Sequence, residues 1–421
     1  MELEEALEKY LSEAELIQDV ERVPLFEAFG RIIAEEIRAP FAVPHFPKAA
    51  MDGYAVRAED VQNASPEKPV ILTVVGEILA GQEEPVLYRF SGSDMSERFA
   101  GCRGTAIRIM TGALVPEGYD AVVRQEDTDY GEREVQICKG VLSYTNYCKA
   151  GEDIAEGAAV LPKGRRIGRI EAGMLASLGF FEVPVLRRLR ISVISTGTEL
   201  WEVSETASLS SGGVQPPRGR IYNSIACTLS GSLIAAGFTG DCSVVPDEAD
   251  EIARCLEQAL ITSDIVITTG GVSVGKKDLL PEVLDRIGAK KVFARINIQP
   301  GTPTIGSVKG GKAILSLSGN PFAALVNFDL YFYPLAAKLT GCSSLLPVIE
   351  EAILQSEYPK VNHQRRFLRA RVENGLVYLP AKSHASSVLA NLLECNCYID
   401  LPSEKKVKPG DRVRIVRMPG L

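Results

Sequence analysis

Histidine and tryptophan are scarce in this chain of 421 residues, which holds 3 His and 1 Trp. With so few imidazoles and no Cys-x-x-Cys pair, a His/Cys zinc site is excluded. The 9 cysteines are odd in number and scattered, so they form no disulfide framework, and the expected setting is a reduced, cytoplasmic one. No apolar run approaches the ~18 residues of a membrane span. The opening MELEEALEKY is acidic where a secretion signal is basic and then apolar. Basic excess is also lacking: 46 Lys and Arg face 54 Asp and Glu, a net charge of −8. That balance argues against nucleic acid or an anionic membrane as a partner, while leaving room for a local basic pocket. No repeat of 20–50 residues is evident. What is present, 46% hydrophobic and 24% charged residues, fits a globular protein of two to four domains.

Leu3, Ala6, Leu7, Tyr10 and Leu11 recur at helical spacing with acids opposite, and a second helix is expected from Pro24 through Ile33. Pro40, Pro44 and Pro47 then force extended chain. Glycine-broken, strand-like runs fill about 50–145, and a brief helix is read at Ala172–Leu178. From Arg190 strands alternate with helices: RISVIST, SIACTLSGSLIAAG, GDCSVVP, EADEIARCLEQAL, DIVITT, KDLLPEVLDRIG, KVFARINI, KAILSLS and FAALVNFDLYFYPLAAKL. Apolar strands joined by helices imply an open, mostly parallel α/β sheet covered on both faces. The Ser/Gly/Pro-rich stretch 203–220 reads as a mobile loop. Beyond about 345 strands return without a good helix, which suggests a small closing β-barrel.

The densest local signal is DIVITTGGVSVGKKD, residues 264–278. A buried strand entering a Gly-rich turn before a helix is a natural anion cradle, with Ser273 adding a hydroxyl. A turn that needs glycine for its backbone angles alone fits equally. A P-loop does not, because Lys277 stands where Ser or Thr should hold magnesium. Asp278 reads either as a helix-start carboxylate or as a magnesium ligand beside phosphate. Glu199 follows another strand at the edge where α/β sheets bind ligands, and Asp247 is a strand-end acid or a helix N-cap. Asp52 within Asp-Gly is ordinarily a turn residue. The basic HQRRFLRARV and hydroxyl-rich KSHASSVL form either an oxyanion pocket or solvated edges, and Cys395 and Cys397 read as core.

Eight segments occur in order: AMDGYAV, RIMTGA, GEDI, STGTEL, TGGVSVG before KKD, PGTP, SGNP and NCYIDLP. Together they resemble the MoeA family of molybdopterin molybdenumtransferases, whose relatives include the enzymatic domain of gephyrin. The resemblance implies a multi-domain α/β plus β fold. Its parts are a discontinuous elongated helical domain (1–45 and 146–186), an inserted β domain (46–145), a molybdopterin-binding α/β domain (187–343) and a C-terminal β-barrel (344–421). It implies a homodimer whose active cleft is shared between chains. It also implies a reaction in which adenylylated molybdopterin and molybdate, with Mg2+, yield molybdenum cofactor and AMP.

Carried over by motif, Gly270, Gly271, Ser273 and Gly275 would hold pterin phosphate or molybdate. Glu199 and Asp278 would act near magnesium, supported by Asp247 and Asp153, with Asp52 and Thr111 supplied by the partner chain. Gly301, Pro303, Gly319, Asn320, Pro321, Arg365 and Ser383 complete the expected binding set. The family's Lys-Pro-Gly-Lys-Pro is Gln299-Pro300-Gly301-Thr302-Pro303 here, its Tyr-Asp-Ser-Asn is Tyr222-Asn223-Ser224-Ile225, and Gln364 stands where the terminal domain's Arg is expected. Each lost charge-assisted contact is worth ~1.5–3 kcal/mol. Two lost lysines thus imply ~10²–10⁴-fold weaker oxyanion binding, unless Lys276, Lys277, Arg295 or Arg365 substitutes. The alternative is a paralogue that binds molybdopterin or nucleotide as a carrier, sensor or scaffold without inserting metal.

Overall fold

The computed structural model describes residues 1–88, 101–206, 213–272, 278–381 and 385–420. The chain forms two compact units, one of 1–35, 163–172 and 181–421 and the other of 36–162 and 173–180. These cuts divide both halves of the segment pair 1–45 and 146–186.

In the first unit a six-stranded sheet runs in the order Thr239–Val245, Arg190–Thr196, Ile265–Thr269, Lys312–Leu317, Ile305–Lys309, Lys290–Ala294. The first four strands are mutually parallel, and the last two join as antiparallel neighbours. Continuous burial of Ile265–Thr269 explains its unbroken apolar run, because helices cover both faces. Ala249–Thr262 buries Ile252, Leu256 and Leu260 along one stripe. The 20-residue helix Pro321–Thr340 is buried over nearly its whole length, with Phe328 stacked on Phe332 at 4.5 Å. It starts on Pro321 at a position that needs no N–H, and it stops at Gly341 in the left-handed region.

Five strands, Ile349–Leu354, Arg365–Glu373, Leu376–Tyr378, Cys397–Leu401 and Arg412–Arg417, close into a barrel because the second pairs with both the third and the fourth. Ile298–Gln299 adds to it, running parallel to Arg365–Arg366. Cys395 and Cys397 are buried, as expected of core residues, and burial pushes their thiols up to about 11 and about 12.

The second unit is built on a mixed sheet of Val86–Leu87, Val70–Ile78, Thr105–Ile109, Gly53–Val56 and Ala121–Arg124, with Glu134–Ile137 paired to Val70–Ile78.

Two local expectations fail. No helix spans Pro24–Ile33: Val20–Pro24 is a strand against Glu182–Leu186, Leu25–Glu27 is one 3-10 turn, and Ile32 and Ile33 bridge to Arg166 and Val185. Gly30 at φ 75° breaks the helical path, and Ile32, Ile33 and Ala34 are all buried, as extended chain packed on both sides requires. KVFARINI is two strands, parted at Arg295 with φ 59°. Ile305–Lys309, to which the sequence reading assigned no element, is a further strand. The brief helix lies at Arg169–Ser177. The loop read at 203–220 opens with a 3-10 turn at Val203–Thr206; its residues 207–212 lie outside the described residues.

Candidate functional site

The strands Arg190–Thr196 and Ile265–Thr269 are neighbours whose carboxyl ends, Thr196 and Thr269, open into a cavity of about 390 Å³. Chain order reverses about this strand pair, the usual ligand position in such a sheet. Glu199, Asp247 and Asp278 all line it, together with Gly270, Gly271 and the Ser318–Pro321 turn. Glu199 is exposed, while Asp247 and Asp278 are half-buried.

Gly270 sits at φ 89°, and a Cβ there would come within 2.5 Å of the Thr196 carbonyl, so only glycine lets the two strand ends approach this closely. Asp247 is not the cap of the following helix; that position falls to Glu248. Its carboxylate instead accepts from the Thr198 N–H at 3.2 Å and the Thr198 hydroxyl at 3.4 Å, which pins the Thr198–Glu199 loop. Asp278 does not begin a helix either: the helix is Leu280–Arg286, two residues on. Ser273, Gly275, Lys276 and Lys277 lie outside the described residues, as does Ser383.

Asn223 is buried in the same wall. Its side-chain oxygen accepts from the Ala226 N–H at 3.3 Å, capping the helix Ser224–Ala235, and its amide donates to Glu202 at 2.7 Å. Asn caps as well as Asp, so the helix is preserved with one negative charge fewer at the cavity. The Tyr222 ring also lines the cavity and is stacked at 5.4 Å on Trp201, the chain's single tryptophan. Neither aromatic was singled out as a site residue; an aromatic on each of two short loop strands carries too little pattern to be noticed.

A second cavity of about 490 Å³ lies between the Gln299–Pro303 segment and the barrel. Gly301 and Pro303 line it, and Gly319 lines the first cavity, while Asn320 lines both. Gly301 has φ 95°, and a Cβ on it would overlap the Asn327 amide at 1.7 Å. Asn327 in turn donates to the Pro300 carbonyl at 3.1 Å and the Ala323 carbonyl at 2.8 Å, fixing the loop on the long helix.

Arg365 is not among the lining residues. It makes a bidentate pair with Asp400, 2.7 Å at both contacts, and a further pair with Glu4 at 2.7 Å. Its neighbour Arg366 lines the cavity instead, donating to Gln299 and to Asn362 at 3.1 Å each. Among the described residues Arg366 is the one charged side chain in that lining. Alternation along a strand sends adjacent residues to opposite faces, so two consecutive arginines could not be told apart by sequence. Arg295 is exposed and lines neither cavity.

Arg369 is fully buried, 3.8 Å above the Phe322 ring, and holds Val388, Asn391 and Ala385 by its guanidinium. The Phe322 N–H donates to the Ser386 carbonyl at 3.0 Å, so Ala385 and Ser386 are carried to the cavity wall.

In the second unit Asp52 and Thr111 are directly bonded: one Asp52 oxygen accepts from the Thr111 N–H at 2.7 Å and from its hydroxyl at 2.6 Å. Those donors hold the exposed carboxyl below the usual carboxylate range. Asp153 is exposed in the same unit.

Among the described residues no three His, Cys, Asp or Glu side chains form a ready metal cage. Magnesium does not need one, since it keeps several waters and is held by one or two carboxylates plus substrate phosphates. The hard oxygen donors of Glu199, Asp247 and Asp278 therefore fit that ion.

Comparison with known proteins covers both units. The family described as MoeA N-terminal region (domain I and II) matches residues 1–179. A probable molybdopterin binding domain matches 192–338, and the MoeA C-terminal region (domain IV) matches 351–417. Molybdopterin molybdenumtransferase of Staphylococcus epidermidis is 33% identical over 418 residues, spanning 98% of this chain and 94% of the relative. That of Bacillus subtilis is 35% identical over 392 residues, or 91% and 86%. The crystal structure of the molybdopterin biosynthesis MoeA protein from Pyrococcus horikoshii superposes with a TM-score of 0.81 at 30% identity, covering all of both chains. The α/β sheet with its cavity, the closed barrel and these full-length matches agree: the chain belongs to the MoeA family.

Proposed function

We propose that this protein is a molybdopterin molybdenumtransferase of molybdenum cofactor biosynthesis, taking adenylylated molybdopterin and molybdate and releasing AMP. The observation that carries the reading is the convergence of Glu199, Asp247 and Asp278 on a glycine-lined cavity at the strand ends, in a chain of this family. Gly270 and Gly271 expose backbone to a phosphate without side-chain hindrance. Tyr222, backed by Trp201, offers a flat face for a heterocycle. Asp247 orients the Thr198–Glu199 loop, while Glu199 and Asp278 would hold Mg2+ against the phosphoanhydride. When bound, that ion would neutralise charge developing on the departing AMP.

The Gln299–Pro303 cavity is the reading's place for molybdate, with Arg366 as cation in place of the family's lysines. Gln299 accepts from Arg366 and so aims its guanidinium along the cavity wall. The test is AMP release and cofactor formation at graded molybdate and tungstate. Wild type is expected to saturate, and Arg366→Gln to raise the molybdate requirement ~10–100-fold. Gln299→Lys with Thr302→Lys is expected to lower it. Tight substrate binding without product at any oxyanion concentration would replace this reading with the carrier, sensor or scaffold one.

The reading includes a homodimer with the active cleft shared between chains, Asp52 and Thr111 coming from the partner. Phe26 and Phe181 are 87% and 78% exposed and adjacent, since the Leu25 N–H donates to the Phe181 carbonyl at 2.9 Å. Two bare phenylalanines side by side suit a second copy of this chain. Phe26→Asp with Phe181→Asp should shift sedimentation from dimer to monomer with the far-UV spectrum unchanged. A variant that still sediments as a dimer would remove this surface from the interface.

Among the described residues no helix is long and apolar enough to cross a membrane.

A further inference from the structure

At the opposite end of the strand Arg190–Thr196 the first unit holds another cleft, of about 440 Å³. Six residue steps at ~3.3 Å place it roughly 20 Å from the strand's active-site end. Its lining carries Arg31, Arg187, Arg188 and Arg190 against Glu21 and Asp241, a positive excess in a chain of net charge −8. Arg187 is committed to Asp264 at 2.8 Å and Asp19 at 2.9 Å. Arg188 and Arg190 are exposed and form no ion pair among the described residues.

Arg31 differs from both. It is only 8% exposed, and it donates to Glu21 at 2.5 Å and to the Leu186 carbonyl at 2.9 Å. Its Nε is buried with no hydrogen-bond partner. That guanidinium stands in the cleft lining as a fixed, largely desolvated charge. Thr239 and Thr262 bring hydroxyls to the same rim. The acids do not cancel this arrangement: Glu21 is taken up by Arg31, which leaves Asp241 against Arg188 and Arg190.

We propose that this cleft is a second anion site, distinct from the active cavity, which takes a small phosphorylated ligand of the phosphate-ester or diphosphate class. Arg31 stands in the lining as a fixed positive charge, and Arg188 and Arg190 close on the anion. Bidentate and charge-assisted contacts of this kind favour phosphate oxygens.

The test is calorimetric titration of the full-length protein with inorganic pyrophosphate, without added Mg2+, while Trp201 fluorescence is followed. Expected is saturable binding at about 1 mM or tighter. It should weaken at least ~10-fold in Arg188→Gln with Arg190→Gln, whose exposed positions leave folding intact. Trp201 reports on the active cavity and should stay unchanged through the titration. No saturable heat up to about 10 mM, affinity unchanged in the double variant, or a Trp201 response tracking the heat would each overturn the proposal.

Discussion

Replacing Asp278 by Asn is expected to lower AMP release at least ~10²–10³-fold while leaving the fold unchanged. The magnitude is that of losing one electrostatic contact aimed at charge that develops in the transition state. Asn is nearly isosteric with Asp, so the half-buried position keeps its packing. What disappears is one of the two hard anionic ligands expected to hold magnesium. Because the loss falls on turnover rather than on ground-state contacts of the ring, substrate should still quench or shift Trp201, which stacks on Tyr222 in the cavity wall. Two assays on one variant thus separate binding from chemistry: tryptophan titration retained, AMP production lost. Elevated Mg2+ should recover part of the rate if the defect is one of metal affinity. Normal turnover in Asp278→Asn would remove this residue from the site.

The second large effect is on stability against pH. Asp329 lies on the long helix Pro321–Thr340 and is fully buried, its carboxylate accepting from the Tyr398 hydroxyl of the barrel at 2.6 Å. Burial raises its pKa to about 7, with the single donor pulling the other way too weakly to compensate. The folded protein therefore holds a proton that the unfolded chain releases near the usual carboxylate value. For a raised carboxyl, this stabilisation is complete below the unfolded pKa and is lost as pH rises through the folded one. Across about pH 4 to 7 the loss amounts to roughly 4 kcal/mol. Asp329→Asn keeps an acceptor for Tyr398 and cannot ionise. Its melting temperature relative to wild type should thus climb steadily between about pH 4.5 and 7.5. Parallel melting curves over that range would show that Asp329 does not titrate there.

The pair has a structural consequence as well. The same helix begins at the wall of the molybdate cavity proposed above, and the barrel supplies Arg366 to that wall. Tyr398 and Asp329 tie the two together, and the Arg369–Phe322 stack fastens the barrel to the helix start.

Much of the candidate site was legible because its signals are local. Gly270 and Gly271 follow a buried strand, Glu199 follows another, and the Ser318–Pro321 turn opens a helix; each is read within a few residues. Element types followed periodicity wherever one face or both faces were buried, as in Ala249–Thr262 and Ile265–Thr269. The reading failed where apolar residues ran consecutively without marking their partner. Ile32 and Ile33 fit a helix by spacing, yet their burial comes from Arg166 and Val185, more than a hundred residues away.

By itself the sequence determined the family, the parallel α/β sheet, the closing β domain and the glycine-lined strand ends, because each depends on patterns short enough for neighbouring residues to enforce. Only the tertiary structure decided that Arg366 rather than Arg365 lines the Gln299–Pro303 cavity, that Asp247 holds a loop instead of capping a helix, and that Arg31 meets Arg188 and Arg190 in a separate cleft. Those outcomes rest on strand register and on contacts between distant segments. There a one-residue difference reverses the face a side chain presents, and no local preference records which face is chosen.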